Sequence, residues 1–197
     1  ISPEGGLFVP QCVPVFGEGE LQALTGPGYR ERAKRILAKY LTDFTAEEIG
    51  HCVEGAYAAG KFSSPEVTGL HMLEPGVEVL ELWRGPTCAF KDMALQLLPR
   101  LMTVSAEKTG SKNKIAILVA TSGDTGKAAL ESFRDVPGTC ILVFYPVDGV
   151  SPMQKLQMTT QEGSNVSACA IQGNFDDAQN GVKAIFTDKA FEARLAA

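Results

Sequence analysis

Apolar residues follow two different spacings, one in the first third of the chain and another after about residue 76. In the first third, five apolar residues recur at intervals of three and four: Ala33, Ile36, Leu37, Tyr40 and Leu41. This spacing predicts an amphipathic helix. Thr45 and Glu48 form a capping box that predicts the start of a second helix. Residues 1–28 are rich in Pro and Gly, so we predict loops and short extended pieces there.

From residue 77 onward, short apolar runs alternate with helical patterns. The strands predicted from these runs are 77–83, 114–120, 139–145 and 166–171. The helices predicted between and after them cover residues 91–108 and 125–134. Two more helices begin after their caps: one after Ser151, which forms a second capping box with Gln154, and one after Asn174. Pro99 predicts a kink or an irregular turn within the first of these helices.

Strands that are continuous apolar runs between helices indicate a parallel sheet covered on both faces. The predicted fold class is therefore α/β, with a mostly parallel sheet, helices on both faces, and a small helical region before it. The change in pattern lies between residues 62 and 76. We predict an N-terminal helical and loop domain over residues 1–70 and a second domain over 71–197.

Composition and charge exclude some classes of binding partner. A net charge of −5 with 45% hydrophobic residues is globular and leaves no basic face for nucleic acid. The apolar runs are far shorter than the ~20 residues of a membrane span, so no membrane partner is expected. Five cysteines without CxxC spacing favour a reduced, cytoplasmic protein, and two isolated histidines favour no metal site. The chain begins without Met or a signal peptide, so we expect it to start inside a longer polypeptide.

The segment Arg84-Gly-Pro-Thr-Cys-Ala-Phe-Lys-Asp92 leaves a predicted strand and delivers Lys91 at the start of a helix. In open α/β sheets, ligands bind where strands lead into helices. A helix N-terminus disfavours an ammonium group, so Lys91 suits a lysine that forms a Schiff base and then moves protons. From position alone, a surface lysine that starts a helix remains an alternative.

A second segment, Ala120-Thr-Ser-Gly-Asp-Thr-Gly126, joins a buried strand to a helix. Small hydroxylated residues and glycines let backbone amides approach an anion. A nucleotide-binding P-loop is a poor fit, because Thr121 stands at its first glycine and Ala128 replaces its metal-binding hydroxyl. A tight strand–helix turn without a ligand remains open.

Together the two segments resemble the threonine synthase family. The stretch from Leu80 to Gln96 looks like the family's cofactor-lysine segment, and Ala120-Thr-Ser-Gly-Asp-Thr-Gly-Lys-Ala-Ala129 resembles its substrate loop. Three further stretches resemble the family in the same chain order: Pro3-Glu-Gly-Gly-Leu-Phe-Val-Pro10, Ser151-Pro-Met-Gln-Lys-Leu-Gln-Met-Thr-Thr160 and Gly173-Asn-Phe-Asp-Asp177. The resemblance is to the longer, bacterial and fungal type and spans nearly the whole chain.

The resemblance implies a fold-type II enzyme that uses pyridoxal 5'-phosphate. Its reaction converts O-phospho-L-homoserine and water to L-threonine and phosphate, the last step of threonine biosynthesis. Lys91 matches the lysine that binds the cofactor and acts in catalysis. Asp124 stands where related enzymes often carry an Asn that meets the cofactor's 3-hydroxyl group. The residues that match the loop for the substrate's carboxylate are Thr121, Ser122, Gly123 and Thr125.

Members of this family are much longer than 197 residues. The resemblance places the cofactor-phosphate loop, and the residue that faces the pyridine nitrogen, after Ala197. We therefore expect this chain to be a fragment that needs the remainder of its polypeptide and is inactive alone. Two other hypotheses stay open: a related phospholyase that eliminates phosphate and stops at a 2-oxo acid, and a non-catalytic remnant.

Overall fold

The computed structural model describes residues 6–195 of the chain. The helices found there are α1 Glu18–Thr25, α2 Tyr29–Tyr40, α3 Ala46–Ala56, α4 Asp92–Leu95, α5 Leu98–Lys108, α6 Asp124–Phe133, α7 Pro152–Thr159, α8 Phe175–Thr187 and α9 Lys189–Leu195. The strands are β1 Gly69–Glu74, β2 Val77–Glu81, β3 Ile115–Ala120, β4 Thr139–Pro146 and β5 Val166–Ile171. Pro3–Gly5, from the first of the family-like stretches, lie outside the described residues.

The chain divides into two compact units, Ile1–Gly55 and Ala56–Ala197. The first unit is helical, as the spacing of its apolar residues predicts. Glu54 of α3 pairs with Arg30 at 2.8 Å and with Lys34 at 2.6 Å, which ties α3 to α2. Side chains on these helix surfaces are partly exposed, so each ion pair adds little stability, typically below about 1 kcal/mol.

Helix α1 corrects the prediction of loops and extended pieces over residues 1–28. Gly17 starts the helix, and its amide donates to Glu20 Oε2 at 2.8 Å. Lys39 of α2 forms an ion pair with the same Glu20 at 2.7 Å. This short helix is therefore held partly by a contact with a distant residue. Its Pro- and Gly-rich surroundings favour a prediction of loops.

The sequence-predicted helix starts are confirmed at atomic detail. At α3, the Glu48 amide donates to Thr45 Oγ1 at 3.2 Å and the Thr45 amide donates to Glu48 Oε2 at 2.7 Å. Ser151 and Gln154 make the equivalent exchange at α7, with distances of 3.2 and 3.1 Å. Such caps use amides that the first helical turn leaves without partners.

The second unit is built on a parallel sheet with the strand order β3-β4-β5. Ile115 is in register with Thr139 at one end of the β3–β4 pair, and Ala120 with Phe144 at the other. This confirms the predicted α/β class with a parallel sheet and helices. Helices α6 and α8 both pack on β3 and β4.

The main core of the second unit lies between the sheet and helices α6 and α7. Alternate residues of β4 point to this side, which is why Ile141, Val143 and Tyr145 are buried together. They meet Leu130 and Phe133 of α6. This packing holds α6, and so the loop that precedes it, in a fixed position against the sheet.

A polar clasp, formed by Asp135, Ser164 and Asn165, joins two connections at the amino ends of β4 and β5. Asp135 Oδ1 accepts from the amide and hydroxyl of Ser164 at 2.8 and 2.9 Å. Asn165 Oδ1 accepts from the Asp135 amide at 2.7 Å, and Asn165 Nδ2 donates to the Phe133 carbonyl at 2.9 Å. The bonds from Ser164 hold the pKa of the Asp135 carboxyl below its ordinary value.

The strand predicted at 77–83 does not belong to the parallel sheet. Strand β2 pairs in antiparallel fashion with β1, in a separate two-stranded sheet that the sequence analysis missed. Glu74 stands opposite Val77, so Pro75 and Gly76 form the turn, and Gly76 has a φ of +85°. Proline followed by a glycine with positive φ is the arrangement of a type II turn. This turn reverses the chain and makes an antiparallel pair with the preceding segment possible.

The helix predicted over residues 91–108 is interrupted, as Pro99 indicated. Helix α4 ends at Leu95 and α5 begins at Leu98. Pro99 lies in the first turn of α5, where a helix has no acceptor for the missing amide hydrogen. The break frees α4 to be positioned by its own contacts: Tyr57 Oη donates to the Met93 carbonyl at 2.7 Å.

Among residues 6–195, no helix combines the length and the apolar character needed to cross a membrane. The same residues contain no group of three or more histidine, cysteine or acidic side chains arranged to hold a metal ion.

Candidate active site

The loop between β3 and α6 is organised by one hydroxyl group. Thr121 is only 2% exposed, and its Oγ1 accepts from the amides of Gly123 at 3.1 Å and Gly126 at 3.0 Å. The same hydroxyl donates to the Gly123 carbonyl at 3.1 Å. A hydroxyl has one hydrogen to donate and two lone pairs, so Thr121 Oγ1 is fully used inside the loop.

Replacing Thr121 with valine is expected to destabilise the chain by about 1–3 kcal/mol for each buried amide left without an acceptor. Valine has nearly the same shape as threonine, so the loss would come from the hydrogen bonds. Thr121→Ser is the matched control: it keeps the hydroxyl and removes one methyl group, at a cost of about 1 kcal/mol. Urea unfolding compares the two variants, and a valine variant as stable as the serine variant would contradict the assignment.

Beyond Thr121, the loop presents donors at the start of α6. Helix α6 begins at Asp124, and the first amides of a helix have no acceptor within it. Ser122 is exposed, and Asp124 and Thr125 are partly exposed, so their polar groups are accessible to a ligand. The positive end of the α6 dipole adds to the attraction for an anion.

Gly123 is enclosed by helix α7. A Cβ atom at this position would lie 2.7 Å from Gln154 Nε2, closer than real contacts allow. Gln154 also caps α7 through Ser151. The capping side chain of α7 therefore packs directly on the backbone of the β3–α6 loop, a contact that the sequence analysis did not predict.

The segment before Lys91 forms a closed loop around a buried carboxylate. Asp92 is 0% exposed, and its Oδ2 and Oδ1 accept from the Thr87 amide and hydroxyl at 2.8 and 2.7 Å. Burial raises the pKa of the Asp92 carboxyl above its ordinary value, and the bonds from Thr87 oppose that rise. Only glycine fits at position 85, because the Cβ of any other residue would lie 2.4 Å from the Asp92 Cβ, closer than real contacts allow.

Lys91 brings the two candidate segments together. It is the residue that caps α4, and its Nζ lies 3.6 Å from Asp124 Oδ1 in the β3–α6 loop. The same Nζ lies 4.2 Å from the centre of the Phe90 ring, which is 58% exposed. A partly exposed primary amine therefore lies beside an aromatic ring and beside the carboxylate of the first residue of α6.

The sequence-predicted residues take different places in this arrangement. Lys91 and Asp124 lie together, and Ser122 and Thr125 belong to the accessible part of the loop. Thr121 and Gly123 are buried, and the Thr121 amide donates to the Phe144 carbonyl at 2.9 Å. The polar hydrogens of Thr121 are therefore all engaged within the protein.

Comparison with known proteins relates this chain to one protein family. Residues 1–57 match the family described as the threonine synthase N terminus. Threonine synthase from Pseudomonas aeruginosa is 41% identical over 192 residues, which cover 97% of this chain and 40% of that protein. Threonine synthase from Schizosaccharomyces pombe is 36% identical over 202 residues, with 98% of this chain and 39% of that protein covered. This chain is related to the N-terminal part of the threonine synthases.

A solved threonine synthase has the same fold over the shared region. The crystal structure of PLP-bound threonine synthase from Brucella melitensis superposes with a TM-score of 0.88 at 41% identity. The match covers 98% of this chain and 41% of that chain. This chain thus spans about 40% of the length of the threonine synthases it matches. The family resemblance predicted from the motifs around Lys91 and Thr121–Gly126 is confirmed.

Proposed function

We propose that the polypeptide carrying this sequence is a cytoplasmic threonine synthase. It converts O-phospho-L-homoserine and water to L-threonine and phosphate, with pyridoxal 5'-phosphate as cofactor. One observation carries the proposal: in a chain 41% identical to a threonine synthase, the Lys91 amine lies 3.6 Å from the carboxylate of Asp124. That contact joins the candidate cofactor lysine to the candidate substrate loop.

The residues around Lys91 fit the chemistry of this cofactor. Its aldehyde needs a primary amine, and the Lys91 side chain is partly exposed. Asp124 and the exposed Phe90 ring lie next to that amine, so these two side chains would help to hold the cofactor there. When bound, pyridoxal 5'-phosphate supplies an electron sink for negative charge on the α-carbon of the substrate.

The β3–α6 loop is the proposed carboxylate-binding element. Ser122, Asp124 and Thr125 offer amides at the N-terminus of α6, and two of them carry hydroxyl groups. Thr121 and Gly123 shape this loop from inside, since the Thr121 hydroxyl bonds the Gly123 amide at 3.1 Å. Fixed donors cost little reorganisation when the anion arrives, which favours tight and oriented binding.

Lys91 is the proposed acid and base. Its Nζ, as a free amine, would take the proton from the α-carbon of the substrate and would deliver protons in later steps. The Asp124 carboxylate, 3.6 Å from Nζ, stabilises the ammonium group that forms each time Lys91 holds a proton. Phosphate leaves from the γ-carbon and water adds at the β-carbon.

The proposal includes the organisation of the longer polypeptide. Residues 1–70 would form a helical and loop domain, and residues 71–197 would form part of the catalytic domain. The 197-residue chain alone would be inactive and would require the rest of its polypeptide. Two structural features support this: the middle residues of edge strand β5 are exposed, and the β1–β2 hairpin exposes Leu70, Met72 and Leu80.

Product analysis of the full polypeptide carrying this sequence tests the proposal. O-Phospho-L-homoserine in water enriched in oxygen-18 should yield one phosphate and one threonine per turnover, with the heavy oxygen at the β-carbon of threonine. Phosphate accompanied by a 2-oxo acid in place of threonine would make the protein a phospholyase. Failure to bind pyridoxal 5'-phosphate, seen as no cofactor absorbance left with the protein after gel filtration, would overturn the proposal altogether.

A further inference from the structure

Lys91 and Asp92 are neighbours in sequence with opposite environments. The Lys91 side chain is partly exposed and reaches Asp124, whereas Asp92 is fully buried. Nothing in the proposed chemistry uses the Asp92 carboxylate, since Thr87 occupies both of its oxygens. A buried carboxylate is unfavourable unless it is hydrogen-bonded, so this one is held for a structural purpose in the loop.

The contacts of Asp92 close the loop that leads to Lys91. The Cys88 amide donates to the Gly85 carbonyl at 3.1 Å, and the Asp92 amide donates to the Ala89 carbonyl at 3.0 Å. Cys88 has a φ of +59°, a left-handed conformation that is unfavourable for a residue other than glycine. The bonds between Asp92 and Thr87 span this turn and offset its strain.

The closed loop determines the direction of the Lys91 side chain. Its carbonyl accepts from the Ala94 and Leu95 amides at 3.1 and 2.8 Å, so the backbone is fixed on the helical side. On the other side it is fixed by the loop that Asp92 closes. With the backbone held at both ends, the direction in which the side chain leaves the backbone is fixed, and from there Nζ lies 3.6 Å from Asp124 Oδ1.

We infer that Asp92 and Thr87 form a positioning pair that aims the Lys91 amine at the β3–α6 loop. The inference rests on the proposed role of Lys91 and assigns a function to two residues beside it. The pair acts through its shape and hydrogen bonds, and its negative charge is not required. Charge and geometry can therefore be separated by substitution.

Asp92→Asn separates them because the amide can keep both contacts. Its carbonyl oxygen accepts from the Thr87 amide, and its NH₂ group donates to the Thr87 hydroxyl, which then serves as the acceptor. Asp92→Ala removes both contacts. Thr87→Val removes the hydroxyl contact and keeps the amide, and Thr87→Ser is its matched control.

The first measurement needs no cofactor. Acetic anhydride labels lysine amines, and mass spectrometry compares Lys91 with the exposed Lys112 in the same chain. In Asp92→Ala and Thr87→Val, Lys91 is expected to be labelled at least about threefold faster relative to Lys112, because its amine is released from Asp124 into solvent. In Asp92→Asn and Thr87→Ser, the ratio is expected to stay at the value of the unmodified protein.

The second measurement uses the full polypeptide with its cofactor. A misplaced reacting group costs about a hundredfold in rate, so Asp92→Ala should lower kcat by about that factor with little change in KM. Asp92→Asn should recover at least about tenfold of this loss. Circular dichroism checks that each variant is folded, and the two Thr87 variants carry the test if Asp92→Ala does not fold.

The possible outcomes distinguish this inference from the proposed function. If Lys91→Ala abolishes cofactor attachment but Asp92→Ala and Thr87→Val leave both labelling and kcat unchanged, the positioning role is wrong and the proposed function stands. If Asp92→Asn is as impaired as Asp92→Ala, the charge is required and the inference is overturned. If the cofactor attaches at another lysine, the proposed function fails first.

Discussion

Lys91→Ala is expected to abolish the covalent cofactor adduct that borohydride reduction traps in the full polypeptide. No other group described in the site can replace the amine, because the contacts of Nζ are with a carboxylate and an aromatic ring. Formation of threonine should fall by a factor of about 10³ or more, as expected when a group acting both as nucleophile and as base is lost. Peptide mapping after reduction locates the adduct.

Two controls accompany this variant. Lys91→Arg keeps a positive charge opposite Asp124 but has no amine that attaches to an aldehyde, so it should also lack the adduct. Lys112→Ala removes an exposed lysine far along the chain and should leave the adduct intact. A reducible adduct found on a different peptide in Lys91→Ala would show that the site is elsewhere.

Gly126→Ala is expected to lower the free energy of unfolding by about 1–3 kcal/mol, the usual cost of overpacking a core. Gly126 is buried in the first turn of α6. A Cβ there would lie 2.5 Å from Thr121 Cγ2 and 2.9 Å from both Met158 Sδ and Val143 Cγ1. The strain would reach the β3–α6 loop through Thr121.

Gly181→Ala is the matched control, because the same atom is added inside helix α8 with nothing within 4 Å of it. This change should raise the free energy of unfolding by about 0.5–1 kcal/mol, since glycine is a poor helix former. Urea unfolding of the two variants should therefore move in opposite directions. A stabilised Gly126→Ala would contradict the packing described around Thr121.

Features that depend on neighbours along the chain could be predicted from the sequence. The capping boxes at Thr45 and Ser151 involve residues three positions apart, so the letters alone define them. The interruption near Pro99 follows from its missing amide hydrogen in the same way. The parallel strands were also recognisable, because a continuous apolar run such as Ile115–Ala120 is typical of a strand inside a parallel sheet, and five of its six residues are partly buried.

Pairings between distant segments could not be predicted in this way. Strand β1 has five of its six residues exposed, so its sequence does not show the alternation of apolar and polar residues that indicates a buried face. The run at 77–83 correctly predicts a strand, but its place in the parallel sheet is wrong, because Pro75 and Gly76 form a hairpin turn that pairs it with β1. The alternation of side chains along a strand determines which of them share a face of the sheet. It does not determine which strands are neighbours.

Only part of the candidate site could be predicted, because some of its contacts also join distant segments. Lys91 and the β3–α6 loop were identified from their motifs, and the ion pair between Lys91 and Asp124 brings them together. Asp92 was missed because an acidic residue beside a lysine is ordinarily exposed, and only the fold places Thr87 over its carboxylate. Gln154 caps α7, but its contact with Gly123 depends on tertiary packing.

The clasp of Asp135, Ser164 and Asn165 lies at the opposite end of the sheet from the β3–α6 loop. Strand β4 alone has eight residues, a length of about 26 Å at the usual rise of a strand. Effects of substitutions that far apart are generally additive. During evolution, a strong clasp can therefore compensate for destabilising changes near Lys91, so that new substrate preferences arise at one end of the strands while the other end preserves the fold.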